Sequence, residues 1–331
     1  MDPLTHTATG LFLSRAGLKR WTPLATPILL LAANAPDADI VTALGGPLSY
    51  LHFHRHLTHS LLAMPVMAIL PVILVRLIAR KPVRWLGAWL ACLIAVASHL
   101  LLDLTNSYGV RLLLPFSARW FHWDLTNVID LWIWGFLLIA VAGPFIGRLV
   151  GSEISSGSVR QRHHGRGFAV TALAFLLLYN CTRAVLHTRA LAVLESRDYD
   201  SPALRYAAMP SVANPLLWTG LVETAEFYAV APVNLTRDFD PARAAIYHKP
   251  EPDPALAAAR ATPTFELYLQ WSQFPFWRIS PIAEPENARL VEVIDMRFGT
   301  PAAPAFVATA LIGPRLQVFE SSFQFGTVRL R

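Results

Sequence analysis

The sequence predicts a mainly α membrane helical bundle, four full spans preceded by a short N-terminal helical hairpin, followed by a small antiparallel β domain. Three observations lead there. The 331 residues are 54% apolar and only 15% charged, less charge than a soluble globular chain carries, with a mean hydropathy of +0.42. The long apolar runs are confined to residues 1–190, and the remainder is richer in Pro, Asp and Glu. Beyond about Asp198 the apolar residues fall into short alternating stretches. The chain therefore divides into a membrane metal-site bundle over 1–190 and an extracytoplasmic, mainly β domain over 191–331.

The hairpin comes first. Residues 3–18 and 22–36 read as two short helices joined by a basic turn holding Arg15, Lys19 and Arg20. Four longer apolar segments follow at 60–79, 86–104, 128–147 and 167–187, each near the roughly 20 residues that a bilayer crossing needs. The N-terminus lacks the basic, apolar and small-residue pattern of a cleaved secretory signal. Cys92 and Cys181 lie inside apolar segments and read as small buried residues rather than a disulfide.

Charge sets the orientation. One set of connections holds Arg15, Lys19, Arg20, Arg76, Arg80, Lys81, Arg84, Arg148, Arg160, Arg162 and Arg166. The opposite set holds only Arg55, Arg111 and Arg119. The first set is expected to be cytoplasmic, which puts the C-terminal domain outside. The net charge of +6 thus follows membrane topology, and no nucleic-acid partner is expected. Membrane lipids are.

The β domain is read from alternation. In FELYLQW, Phe265, Leu267, Leu269 and Trp271 share one face of an extended segment, which predicts a half-buried strand. RLVEVIDMRF, FVATALI and LQVFESSFQF add further strands.

The orientation also gathers the unusual polar residues at the outer end of the bundle. PDAD (Pro36–Asp39) ends the hairpin there, HRHLTHS (His54–Ser60) begins the next span, SHLLLDLTNSYG (Ser98–Gly109) ends the third, and HWDLTNVID (His122–Asp130) begins the fourth. His99 and Asp103 are four residues apart within an apolar helix, so they share one face. Ionisable groups inside a membrane segment are costly and point to function, although a simple hydrogen-bonded pair fits that spacing equally well. The stretch His52–Ser60 holds four histidines in nine residues. Of these, His54 and His59 are the useful ones, and His52 and His56 read as solvated. Ser60 is a candidate N-cap whose helix end favours an anion, and Arg55 suits a phosphate or carboxylate. Asp124 reads as a solvated turn residue, and Asp130 as a helix-dipole partner.

Together, His6, Asp37, Asp39, His54, His59, His99 and Asp103 make a mixed nitrogen and oxygen donor set. Such a set suits one or two divalent ions, zinc or manganese foremost. Two such ions about 3.5–4 Å apart can promote phosphoester hydrolysis.

The early Thr5-His6 with Gly10, then PDAD, HRHLTHS, HLLLDLTNSYG (99–109) and LLPFS (113–117) resemble, in order and spacing, the YdjM-type membrane-bound metal-dependent hydrolases. That family is also named LexA-binding, inner-membrane-associated hydrolases. The resemblance covers residues 3–135, and NPLLW (214–218) and VIDMRFG (293–299) look like the β tail of many members. It implies a metal-dependent hydrolase in a bacterial inner membrane. The family's motif residues fall on His6, Asp37, His54, Arg55, Thr58, His59, Ser60, His99 and Asp103. His56 departs from the pattern, which usually has a small residue there.

The expectation is thus an integral membrane hydrolase of a phosphoester or lipid-type ester at the outer face. His6, Asp37, His59, His99 and Asp103 are the expected metal ligands. Asp39, His54 and Arg55 are the expected catalytic residues, and Arg55, Thr58 and Ser60 the expected substrate contacts. Two other classes compete: a haem or electron-transfer protein, and a non-catalytic protein whose metal staples the bundle while the β domain binds a partner. Carboxylates are superfluous to haem ligation, which argues against the first.

Overall fold

The computed structural model describes residues 1–154 and 164–326. Within these the chain packs as two compact units: Met1–Asp39, Arg55–His187 and Pro210–Pro215 in one, and Ile40–His54, Thr188–Met209 and Leu216 onward in the other.

The first unit is helical. Its hairpin is α1 (Pro3–Ala16) and α2 (Ala25–Ala32), joined through a 3₁₀ turn at Leu18–Arg20. Asp2 caps α1 by accepting from the backbone N–H groups of Leu4 and Thr5, which satisfies donors that a helix start leaves unpaired. The two helices cross closely because Gly10 has no side chain. A Cβ there would stand 2.6 Å from the Leu29 carbonyl oxygen and 2.9 Å from the Ala33 Cβ.

A 3₁₀ stretch over Pro36–Gly45 follows α2, and α3 (Pro47–Phe53) lies in the second unit. A 3₁₀ turn at Leu57–His59 then leads to α4 (Met64–Ala79) and α5 (Trp85–Leu104). Helices α2, α4 and α5 bury a common core of Ile28, Leu29, Val72, Ala88, Ala91 and Val96, with small residues where backbones approach. Beyond an irregular segment come α6 (Leu131–Ile154) and α7 (His164–Glu195). Phe12 of α1 packs against Ile133, Leu137 and Ala140 of α6 and against Ala169, Ala172 and Leu176 of α7.

The helical N-terminal half stands, but the four full spans are not confirmed. Trp85–Leu104 and Gly165–Glu195 are each long and apolar enough to cross a bilayer. Two further candidates are broken: Ala25–Ala32 with Pro36–Gly45, bent by 51°, and Pro47–His59 with Met64–Ala79, bent by 90°. The described residues therefore give two to four candidate spans. The expected span over 60–79 is shortened because the helix starts only at Met64, with Pro65 in its first turn. Ser60 does not cap it directly. Its hydroxyl accepts from the Ala63 N–H in the turn before the helix. The expected span over 128–147 falls on the apolar stretch Leu131–Gly147 within α6. Asp130 fixes that start by accepting from the N–H groups of Trp132 and Ile133. Arg160 and Arg162 of the basic set lie outside the described residues.

The second unit carries the small antiparallel β domain. Strands β1 (Arg205–Pro210), β2 (Leu217–Glu223), β3 (Phe227–Asn234) and β4 (Ala245–His248) form one sheet in that order. Helices α8 (Pro254–Arg260) and α9 (Pro263–Trp271) intervene. The strands β5 (Pro275–Pro281), β6 (Arg289–Asp295), β9 (Phe306–Ile312) and β10 (Val318–Phe325) form a second sheet ordered β10-β9-β6-β5, and β7 (Gly299–Thr300) pairs with β8 (Ala303–Pro304). Leu221 and Tyr228 of the first sheet meet Phe276, Ile294 and Val307 of the second in one core.

FELYLQW is a helix, not a strand. Thr262 caps α9, Pro263 sits at its start, and Phe265, Tyr268 and Trp271 are the buried face. Those three follow a spacing of three, which the alternating reading missed because Leu267 and Leu269 are also apolar. The capping threonine and the following proline decide the contest.

Candidate metal centre

The centre forms where helix ends and turns of the first unit converge. His99 and Asp103 come from α5, one turn apart, and both are fully buried. Asp37 and Asp39 come from the 3₁₀ turns that end the first broken span, and His59 from the turn inside the second.

Four donor atoms face one another. His59 Nε2 lies 3.2 Å from His99 Nε2, 3.4 Å from Asp37 Oδ1 and 3.3 Å from Asp103 Oδ2. His99 Nε2 lies 3.5 Å from Asp37 Oδ1 and 3.2 Å from Asp103 Oδ2. An ion held tetrahedrally at about 2.0–2.1 Å from nitrogen and oxygen donors imposes donor-to-donor edges of about 3.3 Å. All five distances match that edge.

Proton placement supports the fit. His99 Nδ1 is 2.7 Å from the Ala33 carbonyl oxygen, which can only accept, so Nδ1 carries the proton and Nε2 presents a lone pair. His59 Nδ1 is 3.3 Å from Asp39 Oδ2 and 3.1 Å from Thr58 Oγ1, and Thr58 in turn donates to Asp39 at 2.9 Å. The His59 proton thus also sits on Nδ1. With each imidazole neutral and its proton on Nδ1, two lone pairs and two carboxylate oxygens face one another, an arrangement that a divalent cation satisfies.

The remaining expected residues of the first unit lie around this cluster. His6 is fully buried and stacks on His99, with ring centroids 3.8 Å apart. Its Nε2 stands 3.4 Å from Asp103 Oδ1, on the far side of that carboxylate, and neither ring nitrogen has a hydrogen-bond partner among the described residues. The Met1 amino nitrogen lies against the same Oδ1. Asp39 is behind His59, as above, and also accepts from the Arg55 N–H at 2.8 Å. Thr58 holds Asp39. Ser60 bonds within its own turn, donating to the Leu57 carbonyl at 2.8 Å. His54 belongs to the second unit, where it follows α3 and stacks on Tyr50 at 4.4 Å.

Arg55 is buried, and its backbone is in the left-handed region, φ 57°. Its guanidinium contacts Asp103 Oδ1 at 3.0 Å and donates to Asn106 Oδ1 at 3.0 Å and to the Gly109 carbonyl at 3.3 Å. It also lies 5.0 Å from the centre of the Tyr108 ring. Asn106 therefore belongs to the centre, although its residue type and position alone assign it no role. Its only sequence signal is its place in the motif that carries Asp103. Gly109, at φ 84°, lets the loop turn here. A Cβ would stand 2.9 Å from the Phe121 carbonyl oxygen. His122 and Asp124 pair with each other at 3.0 Å, whereas Asp130 accepts from Tyr179 at 3.1 Å, so both aspartates have local partners.

The family model described as YdjM inner membrane protein matches residues 1–190. The uncharacterized protein YfhP of Bacillus subtilis (strain 168) is 26% identical over 345 residues, covering 97% of this chain and 94% of its own length. No solved structure matches.

Proposed function

From the premise that the chain belongs to the YdjM inner membrane protein family, we propose that it is an integral membrane hydrolase that uses one divalent ion held by Asp37, His59, His99 and Asp103. The observation that carries this reading is the convergence of four acceptor atoms at tetrahedral spacing, with the far nitrogen of each imidazole anchored. The substrate class is a phosphoester or a lipid-type ester at the outer face of the membrane. The asymmetry of basic residues between the two sets of connections supports that side and an extracytoplasmic β domain.

A bound zinc or manganese ion would polarise a phosphoryl or carbonyl oxygen and acidify a water. The chain's own residues do the rest. Asp39 and the Ala33 carbonyl fix which nitrogen each histidine turns inward. Arg55 balances Asp103 and, with Asn106, fixes its orientation. Asp37 is the one ligand with appreciable side-chain exposure, 18%, so a substrate approaches from its side. His54, directly before Arg55 in the chain, is the proposed proton acceptor.

A second reading is favoured by one observation: the protein itself already brings four donors together, the number that structural sites use. In that case the ion staples the bundle and the β domain binds a partner. Cobalt-loaded protein separates the two. A visible spectrum that shifts on adding phosphate, together with phosphodiester or phospholipid hydrolysis abolished by a chelator, supports the hydrolase. A spectrum indifferent to anions, with no turnover, supports the staple.

A further inference from the structure

We infer that Arg55 takes the place of a second metal ion, and so makes this a one-ion centre. The inference rests on the metal reading above and concerns the other face of the same carboxylate.

Asp103 has two oxygens with different neighbours. Oδ2 faces the His59 and His99 nitrogens. Oδ1 faces His6 Nε2 at 3.4 Å and Arg55 Nη2 at 3.0 Å. A carboxylate bridging two ions needs both oxygens free of other cations, plus a donor such as His6 beyond. His6 fits that need: it is fully buried, its nitrogens have no hydrogen-bond partner among the described residues, and it is aimed at Oδ1. Half of a second site therefore exists, and the guanidinium stands in its cation position.

Charge decides which cation is retained. The carboxylates of Asp37, Asp39 and Asp103 bring three negative charges to the cluster. One divalent ion and the Arg55 guanidinium bring three positive charges, so the centre is neutral. Adding a second divalent ion beside Arg55 would leave an uncompensated double charge in a buried, low-dielectric site, which is strongly unfavourable. Arg55 cannot withdraw cheaply either. Its other contacts, to Asn106, to the Gly109 carbonyl and over the Tyr108 ring, hold the guanidinium in place.

The test is metal stoichiometry of the full chain in detergent, by elemental mass spectrometry after loading with zinc and removal of excess. The variants are Arg55→Gln, Arg55→Lys and the double variant Arg55→Gln/His6→Ala, with fold checked by circular dichroism and gel filtration. Wild type and Arg55→Lys should hold about one ion per chain, Arg55→Gln about two, and the double variant about one again. The inference is overturned by a folded Arg55→Gln protein that stays at one ion, or by wild type holding two. Should the glutamine variant not fold, manganese titration of wild type followed by electron paramagnetic resonance decides. An uncoupled single-ion signal supports the inference, and an exchange-coupled pair refutes it. Wild type that binds no metal at all removes the metal reading together with this one.

Discussion

His99 Nε2 and Asp103 Oδ2 stand 3.2 Å apart, one helical turn from each other on α5, and both side chains are fully buried. The pair alone could be a hydrogen bond. What suits it to hold a metal ion is the opposite nitrogen of His99, which points its proton at the Ala33 carbonyl. The adjacent His59 and Asp37 atoms complete the same spacing.

The anchoring of His59 makes the first prediction. Asp39→Asn keeps the shape of the side chain but weakens its acceptor strength toward His59 Nδ1. Residues that orient a metal-bound histidine typically contribute about 10–100-fold in metal affinity. A competition titration with a chromophoric chelator should show a loss in that range, and unchanged affinity would mean that Asp39 does not act through His59.

The close crossing of α1 and α2 makes the second. Gly10→Ala places a methyl group 2.6 Å from the Leu29 carbonyl oxygen and 2.9 Å from the Ala33 Cβ, so a helix must shift. Overpacking of this kind costs about 1–3 kcal/mol. Ala33 also carries the carbonyl that orients His99. Thermal unfolding in detergent should move down, and metal affinity should fall with it. A lower midpoint with unaltered affinity would uncouple the hairpin from the centre.

The sequence carried the ingredients of the centre further than it carried their geometry. Spacing alone places His99 and Asp103 on one helix face, and PDAD and HRHLTHS read as helix-end motifs. The left-handed backbone at Arg55 has no signature in composition or periodicity. Neither does the 90° break before Met64, because an apolar run from Leu61 to Ile78 reads the same whether or not its first residues are helical. In the β domain the strands at Arg289–Asp295 and Phe306–Ile312 follow their apolar runs. FELYLQW failed because seven residues with four alternating apolar positions also hold a three-residue stripe. There the cap carried the decisive information.

That cap makes the third prediction. Thr262 Oγ1 accepts from the Phe265 N–H at 3.4 Å and donates to the Ala259 carbonyl at 2.8 Å. Thr262→Ala should cost about 0.5–2 kcal/mol. Hydrogen exchange should rise first in Pro263–Trp271. Exchange rising instead in α8 alone would place the hydroxyl's role there.

A fourth concerns acid. Burial alone would raise the Asp295 carboxyl, but the Arg297 guanidinium, 2.9 Å away, overrides it and holds the pKa below the ordinary carboxylate value. Because the folded-state pKa is the lower one, this group's stabilisation is fully present above the unfolded value of about 3.9 and is lost as pH falls toward the folded value. Chemical denaturation of the wild type should therefore show stability declining below about pH 4, and Arg297→Met should flatten that decline while destabilising by about 3–5 kcal/mol at neutral pH. An equally steep acid decline in the variant would assign it to other groups.

The central claim is that the histidines and aspartates at the end of α5 hold an ion. Elemental analysis of detergent-purified wild type beside His59→Ala and His99→Ala tests it most directly. The account predicts about one zinc or manganese ion per wild-type chain and severalfold less in each folded variant. A folded wild type that carries no metal and takes none up on loading, or variants that retain the ion in full, would contradict it.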